Sequence, residues 1–219
     1  MNAGRTRPGG TNHNSGRRRT SVVTLALLVL GLAAVSAQAA PGGLSRESGG
    51  LGVTSWTFGS RVLREGMEGA DVRVLNGIVS SKPYGGDVGT GRTFESPTAT
   101  AVKEFQRRKA IAASGVVDTD TATALTRSMP LAGATWYGPG FYGNETACGR
   151  VLRTGTVGVA HRTLPCGTKV TFSYHGRYLV VPVIDRGPFA KGYDWDLTGA
   201  AAQKLGFTTS DRVRYAVAG

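Results

Sequence analysis

The segment VIDRGPF (183–189) places a carboxylate where an apolar run ends and a turn begins. Its apolar pair leads directly into Asp185 and Arg186, and the following Gly-Pro pair makes the backbone turn. A carboxylate at the junction of a strand and a loop is a candidate general acid or base, because loops on a rigid scaffold often carry catalytic groups. The same position suits a carboxylate that only caps its own turn through the amide of Gly187 or Phe189. Both interpretations are open at this point.

Histidine and cysteine are the other reactive side chains in this part of the chain. His161 follows the run VGVA, where a lone histidine is more often a structural residue than a catalytic one. Cys148 and Cys166 are the only cysteines, and an even count in an exported protein favours a disulfide bond between them. A nucleophilic cysteine paired with His161 is the alternative. His175 lies in the turn-like segment SYHGR and is expected on the surface, so the histidine spacing does not indicate a metal site.

Four aromatic residues crowd the Gly-rich stretch TWYGPGFYG (135–143). Aromatic faces stack on sugar rings, so Tyr137 and Tyr142 are candidate substrate-binding residues of a glycan groove. Trp136 is expected in the core, and Trp195 suits either role. The sequence contains no nucleophile-elbow serine and no glycine loop of the kind that cradles phosphate.

The first residues of the chain predict a secretory signal peptide. Five arginines precede a run of 14 mostly apolar residues, Val22 to Val35, and the small-x-small motif Ala37-Gln38-Ala39 follows. The run is shorter than the ~20 apolar residues of a membrane span. Cleavage after residue 39 is therefore expected, with a retained N-terminal anchor as the alternative. The mature chain is expected to be secreted or associated with the cell wall, without a stable membrane span.

The charge of the chain favours anionic partners. The 219 residues carry a formal charge of +12, and loss of residues 1–39 removes five arginines and no acidic residue, which leaves +7. For an exported protein, the nearby polyanion is the wall or a membrane surface. Nucleic acid is not expected as a partner, because zinc-finger spacing, RNA-binding aromatic signatures and concentrated basic helices are missing from the sequence. A monomer is expected.

A helical module is predicted after a short linker. Residues 40–60 are rich in Gly and Ser and are expected to form the linker, and residues 61–129 show the apolar spacing of short helices. The first helix is predicted around ADVRVLNGIV with Asp71 as its N-cap. The second is predicted around SPTATAVKEFQRR with Ser96 as its N-cap, and Asp118 is expected to start a third, short helix.

Residues 131–219 are typical of short strands separated by glycine. The strand candidates, in chain order, are TWYG, VGVAH, TKVTFSY, RYLVVPVI and DRVRYAV. One helix, GAAAQKL, interrupts them, with Thr198 as its N-cap and Gly206 at its end. Short strands at close spacing predict a sandwich or a small barrel. The predicted fold class is therefore α+β and multidomain, with a helical module before a mostly β module.

Two segments of the chain resemble known families. Residues 61–127, through LREGMEGADVRVLN, TATAVKEFQRR and GVVDTDTATAL, look like a peptidoglycan-binding domain of the three-helix type. Residues 134–218 resemble the rare lipoprotein A-like domain, a six-stranded double-psi β-barrel related to the expansin barrel. The segments that carry this second resemblance are ATWYGPGF, TACG, GVAHRTLPCGTKV, VIDRGPF and DWDLTGAAAQKLGF.

The resemblance to the barrel family implies an activity and a set of site residues. Members include lytic transglycosylases, which cleave peptidoglycan glycan strands between N-acetylmuramic acid and N-acetylglucosamine and need no cofactor. Asp185 and His161 fall on the key aspartate and histidine of the family and are the expected catalytic residues. Asp196 falls on the second family aspartate, and with Arg186 it is expected to contact the glycan.

A lytic transglycosylase needs one residue that acts first as an acid and then as a base. The muramic acid 6-hydroxyl attacks its own anomeric carbon, so no water is activated and the products carry 1,6-anhydro ends. An ordinary aspartate has a pKa of ~3.9, so an acid role for Asp185 requires burial or a neighbouring carboxyl group such as that of Asp196.

The chain departs from the barrel family at one position. Many members carry a glutamate where this chain has Arg150, and Glu145 is not the matching residue. Arg150 favours the alternative of an expansin-like protein that binds and loosens wall glycan without cleaving it. A wall cysteine peptidase that uses Cys148 or Cys166 is the third hypothesis.

Overall fold

The computed structural model describes residues 58–219, so the predicted signal peptide (1–39) and most of the predicted linker lie outside the described residues. Three helices come first: α1 (Ala70–Ser80), α2 (Ser96–Arg108) and α3 (Thr119–Arg127). The strands that follow are β1 (Leu131–Tyr137), β2 (Val159–Ala160), β3 (Lys169–Tyr174), β4 (Arg177–Asp185), β5 (Trp195–Thr198) and β6 (Asp211–Val217). Helix α4 (Gly199–Leu205) lies between β5 and β6. No helix within residues 58–219 is long and apolar enough to cross a membrane.

The ends of α3 and α4 are as predicted. The Asp118 carboxylate accepts a hydrogen bond from the amide of Thr121 at 2.8 Å and so caps α3. The Thr198 hydroxyl accepts from the amide of Ala201 and caps α4 in the same way. Gly206 ends α4 with φ 71°, a left-handed conformation that glycine adopts without steric cost.

The starts of α1 and α2 differ from the prediction. Gly69, and not Asp71, is the N-cap of α1, and the buried Asp71 carboxylate accepts a hydrogen bond from Nε of Arg61 at 2.5 Å. A buried carboxylate needs a charged partner, and Arg61 is that partner of Asp71. Asp71 therefore stabilises the tertiary packing and does not cap the helix. Its negative charge is also favourable in the first turn of α1. Helix α2 is preceded by Glu95 as its N-cap and has Ser96 as its first residue.

The six strands form a closed barrel in the order β1-β5-β2-β4-β3-β6. The β1–β5 and β2–β4 pairs are parallel, and the other pairs are antiparallel. The predicted α+β class, with a helical module and a six-stranded barrel, is confirmed. Strand β5 is missing from the strands that the pattern predicts, because four residues are too few for an alternation of period two to stand out.

Strand β4 is buried on both of its faces. Leu179, Val181 and Val183 belong to the barrel core, whereas Tyr178 and Val180 belong to the core that the three helices form. The segment RYLVVPVI is therefore a continuous apolar run and lacks the alternation of a half-exposed strand. The helices cover the barrel wall directly.

Polar contacts also join the helices to the barrel. The hydroxyl groups of Thr126 and Tyr178 lie 2.7 Å apart. The Arg214 guanidinium of β6 donates to the carbonyl groups of Arg127 and Met129, at the C-terminal end of α3 where a cation is favourable. The described residues thus belong to one compact unit.

The contact between α1 and β3 gives a stability prediction. A methyl group on Gly77 would lie 2.1 Å from the hydroxyl oxygen of Thr171, which is buried and has no hydrogen-bond partner among the described residues. We expect Gly77→Ala to lower the free energy of unfolding by ~1–3 kcal/mol in urea, as overpacking does. In a Thr171→Ala background the same change should be neutral or stabilising, because the clash is gone and alanine favours a helix. Equal losses in both backgrounds would contradict the described packing.

Candidate active site

Strand pairing brings the two predicted aspartates together. Ala160 of β2 pairs with Asp185 of β4 on one side and with Asp196 of β5 on the other. Two strand spacings separate the aspartate backbones by ~10 Å, so their side chains are close enough for their charges to interact. Asp196 in turn pairs with Thr135 of β1. A row across four strands therefore carries both carboxyl groups.

A register shift sets the direction of the Asp185 side chain. Val159 pairs with Val183, but the next residue of β2, Ala160, pairs with Asp185, so β4 contains an extra residue at this point. A shift of one residue moves a side chain to the other face of a strand, and such bulges are frequent next to active sites. Val181 and Val183 face the barrel core. The bulge turns Asp185 away from this core and toward the loops.

Three donors hold the Asp185 carboxylate. Oδ1 accepts from the amides of Ala147 at 2.9 Å and Arg186 at 2.8 Å, and Oδ2 accepts from the Tyr137 hydroxyl at 3.2 Å. The alternative prediction was that Asp185 caps its own turn through the amide of Gly187 or Phe189. Asp185 does bind a local amide, but it is the amide of Arg186. Ala147 and Tyr137 are 38 and 48 residues away, so tertiary structure, not a local turn, builds most of this site.

Asp196 is the second carboxyl group of the site. It is half-buried, and its Oδ1 accepts a hydrogen bond from the Thr135 hydroxyl at 2.6 Å. Burial raises the pKa of Asp196, the hydrogen bond from Thr135 opposes this, and the negative charge of Asp185 raises the pKa further. Asp196 therefore keeps a proton at a higher pH than a free aspartate does.

Tyr137 hydrogen-bonds to Asp185 and lies within electrostatic range of Asp196. Burial, together with the negative charge of Asp185 and the hydrogen bond to it, raises the pKa of Tyr137 far above its ordinary value. Its hydroxyl therefore remains a hydrogen-bond donor to Asp185. Tyr137 was predicted to line a glycan groove, and here its ring makes an edge contact with Phe141 at 6.1 Å.

His161 lies beside the site, with its ring held by the backbone. Its Nδ1 accepts from the amides of Thr163 and Leu164 at 3.2 and 3.1 Å, which leaves the proton of the neutral ring on Nε2. The ring packs on Trp195 at a centroid distance of 4.6 Å, and burial lowers the pKa of His161. Within residues 58–219 the link to Asp185 runs through the backbone, from the His161 amide to the Asp185 carbonyl at 3.1 Å.

The predicted disulfide is present and ties together the two loops that flank Asp185. Cys148 and Cys166 are bonded, with their Cα atoms 5.8 Å apart. Cys148 follows Ala147, whose amide binds Asp185. Arg186 places Nη2 at 3.7 Å from Sγ of Cys166. Because both cysteines are bonded, the hypothesis of a free cysteine nucleophile is wrong for this fold.

Two arginines organise the loops around the site. Arg186 directs Nη1 to the carbonyl groups of His161 and Asp185, so its side chain lies along the backbone. Arg162 donates from Nε to the Pro188 carbonyl at 2.7 Å and lies 3.6 Å from the Asp194 carboxylate. Arg162 was not among the predicted site residues, although its position next to His161 in AHRTLP could have indicated it. Arg162 holds the loop that follows Asp185.

Exposed aromatic residues surround this end of the barrel. The prediction that Trp136 lies in the core is wrong, because 41% of its surface is exposed at the end of β1, where the barrel wall no longer covers it. Tyr142 and Phe141 are also exposed, and Trp195 is fully buried in the core. Phe189, which was not predicted as a site residue, is 83% exposed and lies four residues after the end of β4. Aromatic faces of this kind can stack on sugar rings.

Arg150 and Glu145 lie outside the hydrogen bonds of Asp185. Arg150 is exposed, and its amide donates to the Thr146 hydroxyl at 3.2 Å. Its side chain lines a separate groove between α1 and the barrel. Glu145 is also exposed and pairs with Val151 in an isolated backbone bridge. Neither residue replaces the carboxyl pair described above.

Two family models match the chain. Residues 132–217 match the lytic transglycolase family, and residues 82–125 match the putative peptidoglycan binding domain. The first match covers the barrel and all the predicted site residues, and the second covers α2 and most of α3.

The chain is also similar to curated relatives. A probable endolytic peptidoglycan transglycosylase RlpA from Synechocystis is 43% identical over 96 residues, which are 43% of this chain and 30% of the relative. The endolytic peptidoglycan transglycosylase RlpA of Pseudomonas aeruginosa is 40% identical over 88 residues, 39% of this chain and 26% of the relative. The chain thus spans about a third or less of the length of these relatives. Among solved structures, the Streptomyces papain inhibitor matches 41% of this chain and 94% of its own, with 25% identity and a TM-score of 0.31.

Loss of the disulfide should destabilise the protein. The bond closes a loop with a sequence separation of 18 residues, for which the chain-entropy model gives ~3 kcal/mol. We expect the double variant Cys148→Ser/Cys166→Ser to lose about this much free energy of unfolding in urea. Titration of the native protein should find no reactive thiol, and two titratable thiols would contradict the bond.

The raised pKa of Asp196 gives a pH-dependent prediction. Because the fold disfavours the charged form, the carboxyl group contributes stability at low pH that is lost as the pH rises through its raised pKa. Asp196→Asn removes this cost and keeps an oxygen that can accept from Thr135. We therefore expect the variant to gain free energy of unfolding, relative to wild type, as the pH rises from ~3 to ~7. Urea unfolding across this range measures the difference, with Asp87→Asn as a control for the loss of one exposed charge. A constant or falling difference would contradict the assignment.

Proposed function

We propose that the protein cleaves the glycan strands of cell-wall peptidoglycan, because residues 132–217 match the lytic transglycolase family and the chain is similar to RlpA transglycosylases. We propose that it does so as an exported lytic transglycosylase, at the β-1,4 bond between N-acetylmuramic acid and N-acetylglucosamine. The helical residues 61–129, which include the match to the peptidoglycan-binding domain, are the proposed binding module.

The observation that carries the proposal is the carboxyl pair of Asp185 and Asp196. Asp185 is held by donors from three segments of the chain, and burial and the neighbouring charge raise the pKa of Asp196. The Asp196 carboxyl group therefore holds its proton more tightly than a free aspartate does. Such a pair can supply a proton and take it back, as a transglycosylase needs.

In the proposed reaction, Asp185 donates one proton to the glycan and then accepts one proton from it. The acid form of Asp185 protonates the glycosidic oxygen, and the bond from this oxygen to the anomeric carbon breaks through an oxocarbenium-like centre. The 6-hydroxyl oxygen of the same muramic acid then bonds to the anomeric carbon and gives its proton to the Asp185 carboxylate. The enzyme returns to its starting state, and no water is consumed.

Other residues of the site orient these groups. The Tyr137 hydroxyl stays protonated and positions Oδ2 of Asp185, and the disulfide keeps the Ala147 amide next to Oδ1. A carboxylate held in this way loses little rotational freedom when the substrate binds. We propose that the exposed faces of Tyr142 and Phe189 stack on sugar rings beside the scissile bond.

His161 is proposed to act through its ring Nε2. Nδ1 accepts two backbone hydrogen bonds, so the neutral ring presents an N–H donor that can bind a hydroxyl group of the glycan. Because burial lowers the pKa of His161, the ring is neutral at physiological pH. Its proposed role is therefore to position the substrate rather than to transfer the proton.

Asp185→Asn tests the proposed acid and base. The amide keeps the shape of the carboxyl group but cannot exchange the proton, and loss of general acid–base catalysis typically slows a reaction by ~10²–10⁴. We expect this loss in the release of soluble fragments from purified sacculi, measured by mass spectrometry. Binding to sedimented sacculi should be unchanged, because the helical module is untouched. If the wild type binds sacculi and releases nothing, the expansin-like alternative is correct, and Arg150 is the residue of the sequence that indicates it.

The products distinguish transglycosylation from hydrolysis. Fragments with 1,6-anhydro-muramic ends should be ~18 Da lighter than fragments with reducing ends, because no water is added. Reducing ends would mean that a second carboxyl group positions water, and Asp196→Asn would then abolish activity. Of the histidine variants, His161→Ala should slow release, whereas His175→Ala, at an exposed turn, should not.

A further inference from the structure

A second concave feature lies where α1 meets the barrel. It is an open groove of about 820 Å³. We call it the basic groove, and its charged lining consists of Arg73 of α1, Arg150 and Arg153 of the loop between β1 and β2, and Lys169 of β3. Its apolar lining includes Val151, Val157, Val180 and Pro182. Among the residues that the structure describes, the lining contains no acidic side chain.

Three cations of the basic groove, Arg150, Arg153 and Lys169, are not neutralised by the part of the chain that the structure describes. Within residues 58–219 the ion pairs involve neither Arg150 nor Arg153 nor Lys169. The pKa of Lys169 is lowered by burial and also by the positive charges of Arg73 and Arg150, so these groups are close enough to repel one another. Like charges gathered on low-dielectric walls focus a positive potential into the groove. The groove is therefore suited to an anionic ligand.

We propose that the basic groove binds a phosphodiester-bearing polymer of the cell wall. Arginine guanidinium groups match phosphate oxygens with paired donors, and three of the four cations are arginines. Several cations along one groove suit a chain that carries an anion in every repeat better than a single carboxylate. The valine and proline side chains provide an apolar wall for the uncharged part of each repeat.

The shape of the groove favours a polymer over a membrane. Phosphodiesters also occur in lipid headgroups, but a planar bilayer surface does not enter a concave groove, whereas a flexible chain does. The groove contains none of the residues that bind Asp185. The proposal therefore adds a wall-anchoring site and does not depend on glycan cleavage.

Soluble poly(glycerol phosphate) is the probe for the proposal. Arg153→Gln/Lys169→Gln removes two groove charges, and neither side chain makes an ion pair within residues 58–219. We expect this variant of the purified protein to bind the polymer about tenfold more weakly at low salt, with a shallower dependence on salt concentration. Arg153→Lys/Lys169→Arg keeps both charges and should bind like wild type. Both outcomes can be measured by fluorescence titration, with circular dichroism to check the fold.

A matched control separates the groove from the overall charge. Arg64→Gln/Lys204→Gln removes two exposed cations outside the groove and should bind like wild type. The proposal fails if this control loses as much affinity as the groove variant, or if the groove variant loses none. It also fails if polyglutamate or phosphatidylglycerol vesicles bind more tightly than the polymer. Glycan release from sacculi by the groove variant reports separately on the Asp185 site, so the two proposals stand or fall independently.

Discussion

Strand β4 is buried on both faces, and the other elements are arranged around it. Val181 and Val183 lie in the barrel core, and Tyr178 and Val180 lie in the core of the helices. Apolar area removed from water on both faces holds the strand in one position. The same strand ends in Asp185, which is thereby placed at the edge of a rigid element. A functional carboxyl group on such a scaffold is positioned more tightly than one on a free loop.

The electrostatics of the site follow from the closure of the barrel. The order of strands puts β2 between β4 and β5, so Asp185 and Asp196 come to lie on either side of Ala160. Burial there and the negative charge of Asp185 both disfavour the charged form of Asp196. The bulge in β4, the disulfide and the Arg162 contacts then bring the surrounding loops to these two groups.

The packing of the helices against the barrel holds together two segments that match separate family models. Gly77 of α1 meets Thr171 of β3 closely, and Arg214 of β6 binds carbonyl groups at the end of α3. A glycan strand held by the helical module would therefore meet the barrel in a defined orientation. This arrangement also creates the basic groove, whose lining comes from both parts.

Sequence alone determined the features that depend on neighbouring residues. Asp118 and Thr198 act as caps within their own helices, and the even cysteine count predicted the disulfide. The motif around Asp185 indicated the barrel family and its candidate residues. The short strand β5 could not be predicted from the sequence, because four residues carry too weak a periodic signal.

Only the tertiary structure decided what depends on residues far apart in the chain. The donors from Ala147 and Tyr137 to Asp185 come from 38 and 48 residues away, and no local pattern encodes them. Two further features depend on neighbours that only the fold supplies. Trp136 is exposed, and Asp71 forms an ion pair with Arg61 and does not act as the predicted N-cap. Contacts of this kind arise when the barrel closes, because closure sets which strands become neighbours and in which register.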